Sequence, residues 1–239
     1  MRVSLFIPCL IDQFHPQIGR NVVQILRKIG AKVEYTNDQV CCGQPFFKTG
    51  YWKKTIPLAK KTILAFRNDK IVVAPSGSCV NMIRNHYLEL FQEDPIWLER
   101  AEAFSQKIYE FSEFLIHIAQ VKDLGASCKA KGTYHDSCQV SRGLGISSEP
   151  RQLLRHIKGL ELIEMKDSDR CCGFGGVFSF RFPHIAKAMV EEKVKNIISS
   201  GAEAVVGCEM SCLMHIGGYL RYKAIPIRTL HLSDLLVLK

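Results

Sequence analysis

An adjacent pair of cysteines followed by glycine occurs twice, in Cys41-Cys42-Gly43-Gln44-Pro45 and in Cys171-Cys172-Gly173-Phe174-Gly175-Gly176. A single cysteine precedes each pair at nearly the same distance: 31 residues separate Cys9 from Cys41, and 32 separate Cys138 from Cys171. Another cysteine follows each turn, because 35 residues lie between Gly43 and Cys79 and 38 between Gly173 and Cys212. Chance rarely reproduces such spacing twice, so the sequence predicts two homologous halves.

Short apolar segments alternate with segments of helical periodicity in both halves. The apolar segments predict strands, the first of them within residues 1–11 and the others at 33–36, 71–75, 132–138, 160–165 and 204–207. The periodic segments predict helices at 17–29, 51–67, 79–91, 98–118, 149–157, 183–199 and 211–221. This alternation indicates an α/β fold of two pseudo-symmetric halves, each a small parallel sheet flanked by helices. We expect the first half to span residues 1–122 and the second 123–239.

Composition excludes several classes of protein. The chain has 239 residues, and no segment approaches the roughly 18 apolar residues of a transmembrane helix. The apolar N-terminus lacks the small-residue cleavage site of a signal peptide, so we expect a cytoplasmic protein. The net charge of +9 is spread over both halves without a basic patch or a known motif, which argues against nucleic-acid binding. Ten cysteines in a reducing compartment indicate metal binding or redox chemistry rather than disulfides.

The repeated cysteines are the candidate metal ligands. Most follow predicted strands, and ligands gather at the carboxyl ends of strands in open α/β sheets. Thiolates favour iron–sulfur clusters and zinc, and each half offers the four that either group takes. The predicted ligands are Cys9, Cys41, Cys42, Cys79, Cys138, Cys171, Cys172 and Cys212, with Cys208 as an open further candidate. A [4Fe–4S] cluster is the expected cofactor, and zinc is the alternative.

Four residues are expected to support the ligands. Gly43 and Gly173 allow a tight turn and an unhindered approach of the backbone to a bulky cofactor. His135 and Asp136 precede Cys138, and we expect them to hydrogen-bond the backbone or a thiolate, although a direct ligand role or a proton-relay role stays open. Cys128 has no partner in the repeat and is interpreted as an ordinary packing thiol.

The combination of motifs resembles the cysteine-rich CCG-domain family, which includes one component of heterodisulfide reductase, its B protein, and the iron–sulfur component of glycolate oxidase. Within it the chain is most similar to the lactate utilisation A group. Five motifs carry this resemblance: Ser4-Leu-Phe-Ile-Pro-Cys9, Gln39-Val-Cys-Cys-Gly-Gln-Pro45, Pro75-Ser-Gly-Ser-Cys79, Cys171-Cys-Gly-Phe-Gly-Gly176 and Cys212-Leu-Met-His-Ile-Gly-Gly218. The resemblance implies a subunit of a complex that oxidises L-lactate to pyruvate, with a ferredoxin-like iron–sulfur B protein and a small C protein as partners.

Two departures from the family pattern bear on the cluster type. The fuller pattern ends in C-x-x-C and provides five cysteines, which in heterodisulfide reductase hold a non-cubane cluster. Here Ser76 stands at that position in the first half, and Glu209 in the second, with Cys208 one residue early. A non-cubane cluster, a plain [4Fe–4S] centre and zinc therefore all stay open.

The sequence contains no nucleophile elbow and no flavin fingerprint, so we expect a subunit of an oxidoreductase rather than a complete enzyme. The sequence leaves three functions open. The first is an electron-transfer subunit of the lactate-oxidising complex, and the second is a heterodisulfide-reductase-like thiol/disulfide site. The third is a zinc-stabilised scaffold without redox turnover.

Overall fold

The computed structural model describes residues 1–238 and contains two compact units, one of residues 1–114 and one that begins at Leu115. Each unit contains one four-stranded sheet in which all neighbouring strands are parallel. Helices flank both sheets. The predicted α/β fold with two pseudo-symmetric halves is therefore confirmed. Residues 119–126 contain neither helix nor strand and lead into the second sheet.

The first unit has the strand order β2-β1-β3-β4. Its strands are β1 (Arg2–Leu5), β2 (Lys32–Tyr35), β3 (Val72–Ala74) and β4 (Ile108–Glu110). Its helices are α1 (Cys9–Phe14), α2 (Pro16–Lys28), α3 (Gln44–Lys48), α4 (Trp52–Ala65), α5 (Gly77–Asn81), α6 (Tyr87–Leu90), α7 (Pro95–Ser105) and α8 (Phe111–Glu113). Two π-helical turns, Met82–His86 and Phe114–Ile118, extend α5 and α8.

The second unit repeats this order as β6-β5-β7-β8. Its strands are β5 (Ser127–Tyr134), β6 (Lys158–Leu162), β7 (Ala204–Gly207) and β8 (Arg228–His231). Its helices are α9 (Cys138–Leu144), α10 (Ser148–Arg155), α11 (Val177–Arg181), α12 (Pro183–Ser199), α13 (Met210–Tyr222) and α14 (Leu232–Leu236).

The central strands explain why the sequence folds in this way. All residues of β3 and β7 are buried, as expected for strands of a parallel sheet that is covered on both faces. The helices bury apolar stripes; in α2 the buried positions include Ile18, Val22 and Ile25, at helical spacing.

The predicted helix 98–118 is confirmed at its two ends but wrong in its middle, at residues 106–110. The helix α7 ends at Ser105, and the chain then forms β4, which pairs with β3 in the register Val72↔Ile108. Ile108 and Glu110 are buried while Tyr109 between them is half-buried, so the local pattern alternates as in a strand. Pairing at the edge of the sheet overrides the helical periodicity of the surrounding residues. The strand β8 forms the corresponding edge of the second sheet, next to β7, and the sequence did not predict it either.

No helix within residues 1–238 combines the length and apolarity needed to cross a bilayer.

Candidate metal centres

The strand order creates a crevice at the same place in both sheets. The strands β1 and β3 are neighbours although β2 lies between them in sequence, and β5 and β7 are neighbours in the same way. At such a point the connections leave the carboxyl ends of adjacent strands toward opposite faces of the sheet, which opens a ligand-binding crevice. Cys9 follows β1 and Cys79 follows β3, while Cys138 and Cys212 follow β5 and β7. Two cysteines of each unit therefore lie at its crevice.

Each of these cysteines begins or nearly begins a helix. Cys9 and Cys138 are the first residues of α1 and α9, and Cys79 and Cys212 are the third residues of α5 and α13. Backbone N–H groups in the first turn of a helix have no intrahelical partner and favour a nearby negative charge. The four helix starts thus suit thiolates.

The N-cap residues of α5 and α13 occupy the place of the fifth cysteine in the fuller family pattern. Ser76 caps α5, and its Oγ lies 3.3 Å from the Oγ of Ser78. Glu209 caps α13, and its carboxylate accepts hydrogen bonds from the N–H and the hydroxyl of Ser211. Both side chains contact the first turn of their own helix.

The Cys-Cys-Gly turns depend on glycine for both conformation and space. Gly43 has φ +84° and Gly173 has φ +85°, in the left-handed region that favours glycine. A Cβ on Gly43 would lie 2.8 Å from the Cγ2 of Thr55 in α4. A Cβ on Gly173 would lie 2.8 Å from the carbonyl oxygen of Ala186 in α12. Each glycine therefore lets its turn approach the following long helix.

The four thiols of the first unit form a chain of contacts. The Sγ atoms of Cys9 and Cys41 are 3.9 Å apart, and those of Cys42 and Cys79 are 3.4 Å apart. Hydrogen bonds from Cys42 and Cys9 lower the pKa of Cys41 to about 3, whereas the pKa values of Cys9 and Cys42 are raised, chiefly because they donate those bonds. Among Cys9, Cys41 and Cys42, the thiol of Cys41 therefore ionises most readily.

Two thiols of the second unit lie beside a histidine. Nitrogen or sulfur ligand atoms of His135, Cys172 and Cys212 all lie within 4.8 Å of one another, and all three residues are buried. The contact with Cys171 lowers the pKa of Cys172, but the contact with Cys212 and burial outweigh it, so this pKa is raised well above its usual value. The Gly173 N–H donates to the Sγ of Cys171 at 3.4 Å, and Cys212 contacts the Oγ of Ser137 at 3.6 Å.

His135 and Asp136 have different surroundings. His135 is 1% exposed, and neither of its ring nitrogens has a hydrogen-bond partner among the described residues. Burial and the nearby Lys193 ammonium lower the pKa of His135 to about 4, so the imidazole is neutral at physiological pH. The Asp136 carboxylate instead accepts two hydrogen bonds from Arg151, at 2.8 and 2.7 Å, and one from the hydroxyl of Ser168 at 2.7 Å. Asp136 thus secures the backbone beside the site.

Lys193 was missed by sequence reasoning. It lies on α12 with no exposed surface, and its ammonium donates to the carbonyl oxygens of Asp167 and Ser168 at 2.7 and 3.1 Å. Burial lowers its pKa to about 8, against the opposing effect of Cys172. The available signal was its position, because Lys193 falls on the apolar stripe that includes Val190 and Val194.

Cys208 and Cys128 lie apart from the repeated pattern. Cys208 follows β7 directly, at the place of Pro75 in the first unit, and it is buried. Cys128 lies in the amino-terminal part of β5, toward the edge of the sheet opposite to the crevice.

The donor set fits a thiophilic metal group. No disulfide joins any of the ten cysteines, and the repeated ones present soft sulfur donors at glycine turns and helix starts of the part of the chain that the structure describes. In the second unit a buried imidazole without a hydrogen-bond partner among the described residues faces two of the thiols. Such donors suit both iron–sulfur clusters and zinc.

Comparison with known proteins agrees with the repeat. The cysteine-rich domain family, CCG, matches residues 3–84 and again residues 132–217. A protein of Halalkalibacterium halodurans named Lactate utilization protein A is 44% identical over 236 residues, which cover 99% of this chain and 96% of that protein. The protein of the same name from Bacillus subtilis is 40% identical over 236 residues and covers 99% of both chains.

A crystal structure of a hypothetical protein from Helicobacter pylori resembles the fold with a TM-score of 0.64 at 12% identity. The alignment covers 99% of this chain, which spans about half of the other, 48%. At this identity the similarity concerns the fold alone. The assignment to a family rests instead on the repeated domain match and on the full-length relatives. The chain belongs to the lactate utilization protein A family of cysteine-rich CCG-domain proteins.

Proposed function

We propose that this protein is the iron–sulfur electron-transfer subunit of a cytoplasmic complex that oxidises L-lactate to pyruvate. The observation that carries the proposal is the full-length similarity to proteins named Lactate utilization protein A, in a chain whose cysteines lie at the crevices of both units. Oxidation of lactate to pyruvate releases two electrons and two protons, and a bound cluster would supply sites for single electrons.

The residues of the chain have two tasks in this function. The thiols of each unit hold the cofactor, and the left-handed turns at Gly43 and Gly173 bring the cysteine pairs against α4 and α12. In the second unit, Lys193 and Arg151 fix the segment before the cysteine pair and the end of β5 through hydrogen bonds to Asp167, Ser168 and Asp136. A rigid ligand shell keeps structural change small when the charge of a cofactor changes.

The partners belong to the same proposal. A ferredoxin-like iron–sulfur B protein and a small C protein would complete the complex, since this chain offers cysteine sites without a recognisable flavin or nicotinamide motif in its sequence. The diffuse net charge of +9 suits contact with an acidic redox partner.

The first experiment is purification without oxygen, followed by measurement of iron, acid-labile sulfide and the visible spectrum. We expect iron and sulfide together with a broad band near about 400 nm, typical of thiolate-ligated clusters. Bleaching of that band by L-lactate in the presence of the B and C proteins, but not by D-lactate or without the partners, would identify the electron path. Zinc alone in a colourless protein would contradict the proposal.

A zinc-stabilised scaffold is the second candidate, and the geometry of the second unit favours it. Around a tetrahedral zinc ion, neighbouring sulfur and nitrogen ligands lie about 3.5–3.8 Å apart. The ligand atoms of His135, Cys172 and Cys212, all within 4.8 Å, approach that spacing. Zinc at about one ion per chain, with no iron after anaerobic purification, would favour this candidate.

A further inference from the structure

His135 occupies a position that is purely hydrophobic in the first unit. It lies three residues before Cys138, and Phe6 lies three residues before Cys9. The backbone N–H of Phe6 donates to the carbonyl of Val73, and that of His135 donates to the carbonyl of Val206, so the two residues are equivalent in the sheets. Phe6 is fully buried against Phe66. The fold therefore accepts an aromatic hydrocarbon here and does not need a polar ring.

An imidazole at this place lowers the stability of the fold unless a ligand bonds to one of its nitrogens. By distance and angle no described residue completes a hydrogen bond to either ring nitrogen of His135, although the ring is buried and the backbone of Ser168 is close enough to raise its pKa. Burying a polar group without a partner disfavours folding, whereas phenylalanine in the same position carries no such cost. A histidine that replaces a core phenylalanine is thus explained best by a ligand that completes its bonding.

The neighbours of the ring indicate which kind of ligand this is. The Sγ atoms of Cys172 and Cys212 and a ring nitrogen of His135 all lie within 4.8 Å of one another. No described residue completes a hydrogen bond to either ring nitrogen, so a nitrogen lone pair is available to a metal held by these thiols. Neutral imidazole with thiolates is a donor set for iron and for zinc.

The geometry points to His135 as a direct metal ligand, which makes the centre of the second unit a mixed histidine–cysteine site and leaves that of the first unit all-cysteine. The inference rests on the proposed function only for the identity of the metal. One consequence concerns the reduction potential of the two centres. An iron–sulfur centre that took His135 in place of one of the four cysteines of this unit would have a higher reduction potential than an all-cysteine centre, so the second centre would accept electrons more readily than the first.

The test isolates the second centre and replaces the histidine. In full-length protein with Cys41→Ser and Cys42→Ser, only the second unit keeps its metal site. His135→Phe reproduces the first unit's residue. The matched control is His215→Phe, at a nearby histidine whose ring centroid lies 6.0 Å from that of Phe174. We expect His135→Phe to lose at least half of the metal bound per chain, and His215→Phe to keep it. Circular dichroism of the metal-free proteins checks that each variant folds.

Pulsed electron paramagnetic resonance of the reduced centre supplies an independent readout. We expect coupling to a directly bound imidazole nitrogen in the parent protein and in His215→Phe, and its disappearance in His135→Phe. His135→Cys should retain metal, lose the nitrogen coupling and show a lower midpoint potential. A parent spectrum without nitrogen coupling, or unchanged metal content in folded His135→Phe, would overturn the inference.

Failure of the proposed function is distinguishable from failure of this inference. If the protein contains zinc and no iron, the electron-transfer proposal fails, but cobalt substitution still tests the ligand. The d–d absorption of bound cobalt should then change in His135→Phe and remain in His215→Phe. An identical cobalt spectrum in His135→Phe would exclude direct ligation with either metal.

Discussion

The two units share a strand order and a cysteine pattern but differ in the polarity that surrounds the cysteines. In the first unit the positions equivalent to His135, Asp136 and Lys193 hold Phe6, Ile7 and Thr62. The second unit thus places an imidazole, an ion pair with Arg151 and a buried ammonium near its thiols. The scaffold determines where the ligands lie, and the neighbouring side chains determine the electrostatics of each site.

A duplicated fold allows this division because each unit contains its own crevice. Each unit also has its own hydrogen bonds beside the cysteine pair: Tyr87 donates one of 2.9 Å to the carbonyl of Cys42 in the first, and Lys193 donates to the carbonyls of Asp167 and Ser168 in the second. Substitutions in one unit can therefore test that site while the other unit serves as a reference.

The largest effect is expected from Cys172→Ser. It removes a buried ligand of the second unit, so the protein should lose the metal of that unit and about 3 kcal/mol or more of its unfolding free energy. Metal analysis and chemical denaturation under anaerobic conditions measure both. Cys128→Ser is the control and should change the unfolding free energy by less than about 1 kcal/mol. Equal metal content in the two variants would refute the ligand assignment.

The glycine turns should differ in their tolerance of a methyl group. Gly173→Ala should lower the free energy of unfolding by about 2–4 kcal/mol, because the new Cβ meets a backbone oxygen in addition to the strain of positive φ. Gly43→Ala should lower the free energy of unfolding by less, because its new Cβ meets the side-chain methyl group of Thr55. Gly201→Ala, with φ +72° and nothing within 4 Å, should lose only about 1 kcal/mol of strain energy.

A double variant separates the two contributions at Gly43. Thr55→Ser removes the Cγ2 atom but keeps the hydroxyl that donates to the carbonyl of Tyr51. Gly43→Ala should therefore be less destabilising in the Thr55→Ser protein than in the parent. Thermal denaturation of the four proteins measures the difference, and an equal loss in both backgrounds would show that strain alone is responsible.

A pH dependence is expected from the helix caps that close the two sheets. In the first unit Glu110 caps α8, as His231 caps α14 in the second. Burial raises the pKa of Glu110 from 4.5 to about 7. The folded state then binds more protons than the unfolded state between those values, so this group's stabilising contribution is lost as pH rises from about 4.5 to 7.

Glu110→Gln should remove that dependence. Relative to the parent, its free energy of unfolding should rise by roughly 2–3 kcal/mol between pH 4.5 and 8, since one pKa unit corresponds to about 1.4 kcal/mol. Urea denaturation at several pH values measures the change. The control is Glu99→Gln, at an exposed position. Parallel pH profiles for Glu110→Gln and the parent would contradict the assignment of this pH dependence to Glu110.

The smallest effect concerns reactivity in the metal-free protein. Cys41 has a pKa lowered to about 3, whereas the pKa of the more exposed Cys9 is raised. Because the thiolate is the nucleophile, iodoacetamide at pH 6 should label Cys41 before Cys9. Mass spectrometry of peptides at short reaction times measures the order. Faster labelling of Cys9 would show that exposure, not charge, controls reactivity in this unit.

Sequence alone determined the repeat, the fold class and the family, because spacing and hydrophobic alternation are written along the chain. The helix at 183–199 and the placement of Cys9, Cys79, Cys138 and Cys212 after strands follow from that local pattern. The strands β4 and β8 did not, since each is short and forms by pairing with a distant neighbour.

Only the tertiary structure decided what surrounds the cysteines. The apolar stripe of α12 indicates that Lys193 faces the core, but only the fold shows that its ammonium lies beside the carbonyls of Asp167 and Ser168. His135 became informative when the sheet registers made it equivalent to Phe6 and brought Cys172 and Cys212 beside its ring. This convergence joins residues far apart in sequence, so no local pattern encodes it.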